Sequence, residues 1–253
     1  MKTNRYLFIF SFLALSFSAS AWSKEGHHII CAITRQYLSD ETRDSVRHYL
    51  GDLSLEEASV WMDEARRQPG HAYLNSWHYI NIEKDQTYVE DKKPNLINRL
   101  QLAIYNLKNK LGDFQTKHFN LKVLIHLIGD LHQPLHVGYG SDRGGNDVKV
   151  NFLGKETNLH KLWDEDMIHS QRIDFQMCMK HKAELPEFKN ERYNELKIKN
   201  WAMESRGLLL SVYATGNGLL SSVYLKNNLP LLELQLLKAG SRLAVLLNDI
   251  YGI

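Results

Sequence analysis

The chain has 253 residues, of which 43% are hydrophobic and 24% are charged, and its formal net charge is +2. This length is enough for one sizeable domain with a single core, and no Pro-, Gly- or Ser-rich linker or internal repeat divides it. A net charge so close to zero argues against a strongly basic surface for binding nucleic acid.

The first 21 residues have the pattern of a secretory signal peptide. Two basic residues precede an apolar stretch, Leu7 to Phe17, and small residues follow it at Ala19-Ser20-Ala21. That stretch is too short to span a membrane, and no later run approaches ~18 consecutive apolar residues. We expect cleavage to leave a neutral chain that begins at Trp22. Residues 22–253 should then form one exported domain, periplasmic or secreted, that is monomeric and not attached to a membrane.

Apolar residues recur at helical spacing along most of the chain. Residues 24–50 predict two helices with a break near Ser39-Asp40, where either side chain could cap the second helix. The same spacing predicts helices over Leu55–Arg67, Asn95–Leu111, Thr116–Leu131, Leu159–Met179, Asn200–Tyr213 and Pro230–Tyr251. Helix therefore dominates the predicted fold.

Strand patterns are few and short. Trp77–Ile80 is aromatic and β-branched, and Asp147–Phe152 alternates before a turn at Gly154 and a return through Thr157. Before this hairpin, Gly138–Asn146 is rich in Gly, Ser and Asp and predicts an ordered loop. The sequence predicts an all-α fold, a single domain of many helices with one small β-hairpin.

A His and an Asp lie four residues apart in one predicted helix, at His126 and Asp130. This spacing puts both side chains on one face, about one turn apart, so one metal ion could contact both. His136 follows beyond Pro134, which should end the helix and let the chain turn that imidazole toward a second metal.

His160 and Asp164 repeat this spacing on another predicted helix. They again offer one nitrogen and one oxygen ligand on the same face, and zinc accepts both types. Either pair alone is better explained by a hydrogen bond between a His and an Asp one turn apart. Two such pairs together with His136 favour metal binding.

His27 lies five residues after the predicted mature N-terminus at Trp22. A free α-amine and the carbonyl of the same residue can chelate zinc, and an amine pKa of about 7.7–8 allows the proton to leave near neutral pH. The alternative is that Trp22 is a buried aromatic anchor and His27 a surface residue.

Cys31 and Cys178 are the two cysteines of the chain. In an oxidising compartment they are a candidate disulfide, and the sequence leaves open whether the bond forms. Cys31 also lies four residues after His27, which on a helix would place both on one face as a metal pair. We rank that pair lower because other residues supply enough ligands.

These residues together resemble the single-strand-specific zinc nucleases and 3′-nucleotidases of fungi, plants and bacteria, the family that includes mung bean nuclease. The match runs in the family's order from Trp22 to about Asp164, and the rest of the chain is similar only in being helical. The matching elements are Trp22 with His27, Trp61-Met-Asp63-Glu-Ala-Arg66, Trp77-His78-Tyr79, His126 with Asp130, Gln133-Pro-Leu-His136, Gly144-Gly-Asn146, and His160 with Trp163-Asp164. The helical fold of that family is also similar to that of zinc phospholipase C.

The resemblance implies three zinc ions per chain. The implied ligand sets are Asp63, His78, His126 and Asp130; then His136, His160 and Asp164; then the amine and carbonyl of Trp22 with His27 and Asp130. Asp130 would bridge two metals, and His132, which lies between Asp130 and His136, could orient a ligand from behind.

The implied activity is hydrolysis of single-stranded DNA and RNA to 5′-phosphate products, with 3′-nucleotidase activity, by a metal-activated hydroxide. Asp63 would orient that hydroxide, and Arg66 would donate to the phosphate. Asn146 would contact the substrate near the scissile phosphate, and Tyr79 would stack on an unpaired base unless it is a core or hairpin aromatic. We expect transient binding of substrate and no stable nucleic-acid complex.

Two other functions remain open. A bacterial zinc phospholipase C resembles these nucleases in fold, N-terminal Trp and metal arrangement, but has Glu where this chain has Asp164. A non-catalytic periplasmic zinc-binding protein would use exposed His-rich tracts, which this sequence lacks. The Gly144-Gly-Asn146 loop and the Asp at position 164 favour the nuclease.

Overall fold

A computed structural model describes residues 22–184 and 195–252 of the chain, and the predicted signal peptide lies outside them. The α-helices are α1 (Lys24–Arg35), α2 (Asp40–Leu50), α3 (Leu55–Ala65), α4 (Leu96–Lys108), α5 (Phe114–Leu131), α6 (Leu159–Lys161), α7 (Met167–Gln171), α8 (Phe175–Met179), α9 (Glu195–Gly207), α10 (Leu209–Val212) and α11 (Ser222–Tyr251). Short 3-10 helices span Ala72–Trp77, Pro134–Val137 and Lys180–Glu184, and a π-helical turn, Leu162–Asp166, joins α6 to α7. Within the described ranges the strands are β1 (Lys149–Phe152) and β2 (Lys155–Asn158), which form one hairpin. The predicted all-α fold with a small hairpin is confirmed.

Polar side chains begin several helices at the predicted positions. Ser39 accepts a hydrogen bond from the N–H of Thr42 and so begins α2 at the predicted break. Ser54 and Glu57 form a capping box at the start of α3, and Asn95 caps α4. Each cap of this kind stabilises a helix by about 1 kcal/mol, so these residues set where the helices begin.

Helix α5 runs through the centre of the molecule. Every residue from Asn120 to Leu131 is buried, including His126 and Asp130. A helix that is buried on all sides must be enclosed by other elements, and α5 packs against α2, α3, α4, α9 and α11. Polar side chains on this part of α5 therefore point into protein and need partners there.

Helix α11 is longer than the sequence predicts. It begins at Ser222 instead of Pro230 and contains that proline in its interior. Proline lacks the backbone N–H and clashes with the preceding turn, which costs about 3 kcal/mol in a helix interior. Burial offsets this cost, because Tyr224 and Asn228 continue at four-residue spacing the buried face that includes Leu232.

Helices α1 and α11 are in close contact at a glycine. A Cβ atom at Gly240 would lie 2.6 Å from Cβ of Ile33, so a larger residue would push the helices apart. Oγ1 of Thr34 also donates to the carbonyl of Gly240 at 3.1 Å. This contact joins the helix that carries His27 to the C-terminal helix.

The predicted strand at Trp77–Ile80 is wrong. A 3-10 helix occupies the chain up to Trp77, and the extended segment after it forms no strand. Its N–H groups bond instead to the turn after α5: Ile80 donates to the carbonyl of His136 at 2.8 Å and Ile82 to that of Gly138 at 3.0 Å. The extended segment is thereby held beside the chain that follows α5.

The hairpin forms where the sequence predicts it, with Phe152 opposite Lys155 across the turn. The predicted loop at Gly138–Asn146 contains neither helix nor strand.

Apolar side chains from α1 to α11 form one buried cluster. Within the described part of the chain, we find no helix with both the length and the apolar character needed to cross a membrane.

Candidate metal centre

Helix α5 places His126 and Asp130 on one face, and both are fully buried. Nε2 of His126 lies 3.2 Å from Oδ2 of Asp130. The other ring nitrogen, Nδ1, lies 2.5 Å from the carbonyl oxygen of Ser59. Because a carbonyl only accepts hydrogen bonds, Nδ1 carries a proton, and this bond directs Nε2 toward Asp130.

Asp63 and His78 approach the same point from α3 and from the end of the first 3-10 helix. Nδ1 of His78 lies 2.9 Å from Nε2 of His126 and 3.0 Å from Oδ2 of Asp130. Oδ1 of Asp63 lies 4.0 Å from Nδ1 of His78. The structure thus brings together the four side chains of the first predicted ligand set.

His27, on α1, approaches Asp130 from another direction. Its Nε2 lies 3.6 Å from Oδ1 of Asp130, and its ring stacks on His126 with centroids 4.5 Å apart. A Cβ atom at position 129 would lie 2.9 Å from the His27 ring, so this approach requires Gly129. His27 is fully buried, and the alternative that it is a surface residue is wrong.

Trp22 is buried beside two of the elements that carry these ligands. Its indole Nε1 donates to the carbonyl of Gly129 at 2.9 Å. The next residue, Ser23, donates its backbone N–H to the carbonyl of Asp164 at 2.9 Å. The indole therefore anchors Trp22, and this anchoring holds the main chain at the start of α1 between α5 and the π-helical turn.

His136, His160 and Asp164 form a second group. Nε2 of His160 lies 3.2 Å from Oδ2 of Asp164, and Nε2 of His136 lies 3.9 Å from Oδ1. Nδ1 of His136 contacts the carbonyl of His78, and Nδ1 of His160 that of Gly144, both at 2.7 Å. These carbonyls turn the Nε2 atoms of both rings toward Asp164.

The side chains of this centre fit metal ions better than they fit one another. Ligand atoms lie within 4.8 Å of one another in three groups: His27, His126 and Asp130; Asp63, His78 and His126; and His136, His160 and Asp164. Several buried atoms among them have no hydrogen-bond partner, including both ring nitrogens of His27, Nε2 of His136 and Oδ1 of Asp130. Each such atom costs about 1–3 kcal/mol, which a bound cation would recover. A mixture of imidazole and carboxylate ligands suits zinc.

Burial keeps two of these imidazoles neutral, the state in which they bind metals. It lowers the pKa of His78 and that of His136 to about 4. For His126 burial acts in the same direction, but the charges of Asp130 and Asp63 outweigh it and raise the pKa to about 9. For Asp130 burial favours a higher pKa, but the positive charge of His126 and its hydrogen bond to the carboxylate overcome this effect and hold the pKa well below the usual value. The proton on His126 therefore balances carboxylate charge that a metal cation would balance instead.

The three predicted substrate contacts differ in their positions. Arg66 follows α3, is 7% exposed and has Nη2 at 2.9 Å from Oδ1 of Asp63. Tyr79 is 41% exposed, so it is not a core aromatic. The side chain of Asn146 donates to the carbonyl of Arg143 at 2.9 Å, within its own loop. Arg66 thus contacts the centre directly, and Tyr79 presents its ring to solvent.

The sequence model of the S1/P1 Nuclease family matches residues 22–252, which is nearly the whole chain after the predicted signal peptide. The chain belongs to the S1/P1 nuclease family.

Two nucleases of known sequence and one solved structure are similar to this S1/P1 nuclease. Endonuclease 4 of Arabidopsis thaliana is 29% identical, covering 92% of this chain and 90% of its own length. Nuclease P1 of Penicillium citrinum is 26% identical, covering 91% of this chain and 98% of its own length. Among solved structures, the alpha-toxin of Clostridium perfringens aligns with a TM-score of 0.48 and 15% identity, covering 92% of this chain and 65% of the toxin chain. The predicted family and the predicted enzyme class, a nuclease, are confirmed.

The C-terminal half of this nuclease contributes a residue that no sequence pattern marks. Arg206, on α9, donates to the carbonyl of Val137 at 3.0 Å and to that of Glu83 at 2.7 Å. Arg206 therefore ties the segment after His78 to the turn that contains His136. In both contacts the guanidinium donates to a backbone carbonyl. Because every residue has a carbonyl, these partners leave no motif in the sequence.

His132 faces away from the metal groups, so the expectation that it orients a ligand is wrong. Its Nδ1 donates to the carbonyl of Ile128 at 2.8 Å, and its Nε2 accepts from Nη1 of Arg242 at 2.9 Å. Burial and the neighbouring Arg242 lower the pKa of His132 to about 3. His132 is therefore a neutral link between the end of α5 and α11.

The candidate disulfide is not formed. Cys31 and Cys178 are both buried, free thiols, and burial raises the pKa of each to about 12. Sγ of Cys31 lies 3.5 Å from the carbonyl of Leu55. Among the described residues neither cysteine belongs to a metal group, so the pairing of Cys31 with His27 is also not formed. Both side chains pack as small core residues.

Acid should destabilise the protein through His132. Its pKa is about 3 when folded but about 6.5 when unfolded, so its contribution is present above pH 6.5 and is lost as the pH falls toward 3. Between about pH 7 and pH 5, we expect the metal-free wild type to lose about 1–2 kcal/mol more of its unfolding free energy than His132→Gln. Urea unfolding in the presence of a chelator measures this difference, and equal pH slopes for the two proteins would contradict it.

Proposed function

We propose that residues 22–253 form a single exported domain that holds three zinc ions and hydrolyses single-stranded DNA and RNA to 5′-phosphate products, with 3′-nucleotidase activity. Membership of the S1/P1 nuclease family supports the reaction. The observation that carries the zinc proposal is the convergence of three buried groups of neighbouring His and Asp side chains. Several of their ligand atoms have no hydrogen-bond partner.

The proposed ligands are those of the three sets predicted above. Asp63, His78, His126 and Asp130 would hold the first zinc, and His136, His160 and Asp164 the second. The amine and carbonyl of Trp22 would hold the third with His27 and Asp130. The separate positions of the two Asp130 oxygens support its role as a bridge, since Oδ1 faces His27 and Oδ2 faces His78 and His126.

Zinc ions bound here would lower the pKa of a water molecule and neutralise charge on phosphate oxygens. The chain's own residues would orient the reactants. Asp63 lies next to the first ligand group and can accept a proton from a nearby water. Arg66, fixed against Asp63, can donate N–H groups to a phosphate oxygen as negative charge develops on it.

Substrate selectivity would come from the exposed ring of Tyr79. Stacking of a base on an aromatic face tolerates any base but requires one that is unpaired, which agrees with a preference for single strands. Asn146 would contact the substrate near the scissile phosphate by exchanging its bond to Arg143. Because the net charge of the chain is close to zero, binding should be transient.

The direct test uses zinc-loaded protein that mass spectrometry confirms to begin at Trp22. We expect it to cleave single-stranded DNA and RNA, to act weakly on duplex DNA and to lose activity with a chelator. Release of phosphocholine from lecithin without attack on single-stranded DNA would identify a phospholipase C. Zinc binding without hydrolysis of nucleic acids, 3′-nucleotides or lecithin would leave only a zinc-binding protein.

Substitution of Arg66 tests the phosphate contact. We expect Arg66→Gln to lower kcat by about 10²–10³-fold, because a donor to the developing charge is lost. The matched control is Arg67→Gln, since Arg67 is the next residue but is exposed. Elemental analysis should find the same zinc content in both variants. Equal rates for the two variants at equal zinc content would rule out the proposed role of Arg66.

Extension of the N-terminus tests the third zinc. A protein that retains one additional residue before Trp22 has an amide in place of the α-amine, and an amide nitrogen binds zinc poorly. We expect this protein to bind one zinc ion fewer and to lose most of its activity. Full zinc content and full activity in the extended protein would refute Trp22 as a ligand.

A further inference from the structure

Gln133 lies where the turn after α5 meets the second metal group. It is fully buried, its Oε1 accepts from the N–H of Leu135 at 2.5 Å, and its Nε2 donates to Oδ1 of Asp164 at 2.6 Å. A backbone N–H can only donate, so the atom facing Leu135 must be the oxygen. The orientation of the amide is thereby fixed, and its NH₂ group faces Asp164.

The two carboxylate oxygens of Asp164 have different neighbours as a result. Oδ1 accepts the hydrogen bond from Gln133 and lies 3.9 Å from Nε2 of His136, whereas Oδ2 has no bond to Gln133 and lies closer to an imidazole, 3.2 Å from Nε2 of His160. The backbone of Asp164 is held as well, because its carbonyl accepts from the N–H of Ser23 at 2.9 Å. Rotation of the carboxylate would break the bond to Gln133.

The backbone of Gln133 is held within its own turn. Its N–H donates to the carbonyl of Asp130, and its carbonyl accepts from the N–H of His136, both at 3.0 Å. The ring of the preceding residue, His132, accepts from Nη1 of Arg242 at 2.9 Å. The following residue is Pro134, whose ring restricts the backbone further. Gln133 therefore reaches Asp164 from a backbone whose position is fixed.

We propose that Gln133 is a positioning residue that fixes the Asp164 carboxylate so that Oδ2 is the oxygen presented to the zinc ion shared with His136 and His160. The inference rests on the proposed function, because it requires that this group bind zinc. A hydrogen bond to a carboxylate ligand restricts its rotation and holds one oxygen toward the metal. Removal of such a partner typically weakens metal binding by about 10–100-fold.

The test compares two buried glutamines in the chain that begins at Trp22. Gln133→Met and Gln235→Met replace the amide with an unbranched side chain of similar volume that cannot donate. Gln235 is 1% exposed and donates to the carbonyl of His132 and to Oγ of Ser205, so its loss has a similar structural cost without touching a ligand. Bound zinc is measured by dialysis against a series of zinc buffers, and unfolding of the metal-free variants by urea.

In Gln133→Met we expect one zinc ion to dissociate at a free zinc concentration about 10–100-fold higher than in the wild type. The other zinc ions should be retained as in the wild type, and Gln235→Met should shift none of them, even if both variants unfold at lower urea. Equal zinc retention by the two variants would overturn the inference while leaving the proposed function intact. A wild type that binds no zinc would overturn both.

A measurement on the wild type makes the test independent of how the variants fold. In protein labelled with ¹⁵N-glutamine, the side-chain NH₂ of Gln133 should exchange slowly with solvent, both with and without zinc. Loss of this protection on zinc binding would show that Gln133 releases Asp164 and would overturn the inference. Retained protection supports it.

Discussion

The charge of Asp130 is the constraint on which the rest of the site depends. An ionised carboxylate at 0% exposure is costly unless opposite charge or hydrogen bonds compensate it. Four imidazoles lie near its oxygens, those of His78, His126, His27 and His136, at 3.0, 3.2, 3.6 and 3.8 Å. Without a cation, the proton on His126 supplies part of the compensation. The fold must therefore bring α1, α5 and the chain after the first 3-10 helix together at one buried point.

Backbone carbonyls make this arrangement rigid. The carbonyls of Ser59, His78 and Gly144 each receive an N–H from a different imidazole and so direct the opposite nitrogen into the centre. Each of these carbonyls belongs to a segment distant in sequence from the ring that it orients. Tertiary packing, and not local helix geometry alone, thus decides which ring nitrogen is available to a metal.

The parts of the site that sequence predicts are those fixed by local geometry. The pairs His126 with Asp130 and His160 with Asp164 could be found because helical spacing alone puts each pair on one face. Asn146 and Arg66 were reached through motifs, but their contacts depend on loop and helix-end conformations that spacing does not determine. Of these two, the structure brings only Arg66 against a predicted ligand.

The parts that sequence misses depend on packing between distant segments. Arg206 binds carbonyl groups, which every residue carries, so no pattern identifies its partners. At Trp77–Ile80 the aromatic and β-branched residues suggest a strand, yet the N–H groups bond to the turn after α5. The prediction that α11 begins at Pro230 fails because a buried face continues across the proline.

The number of bound zinc ions is the central claim. Anomalous X-ray diffraction above the zinc edge, on crystals of the chain that begins at Trp22, tests it most directly. Three anomalous peaks, one in each ligand group, are predicted; fewer peaks in these groups, or none beside Trp22, would contradict the claim.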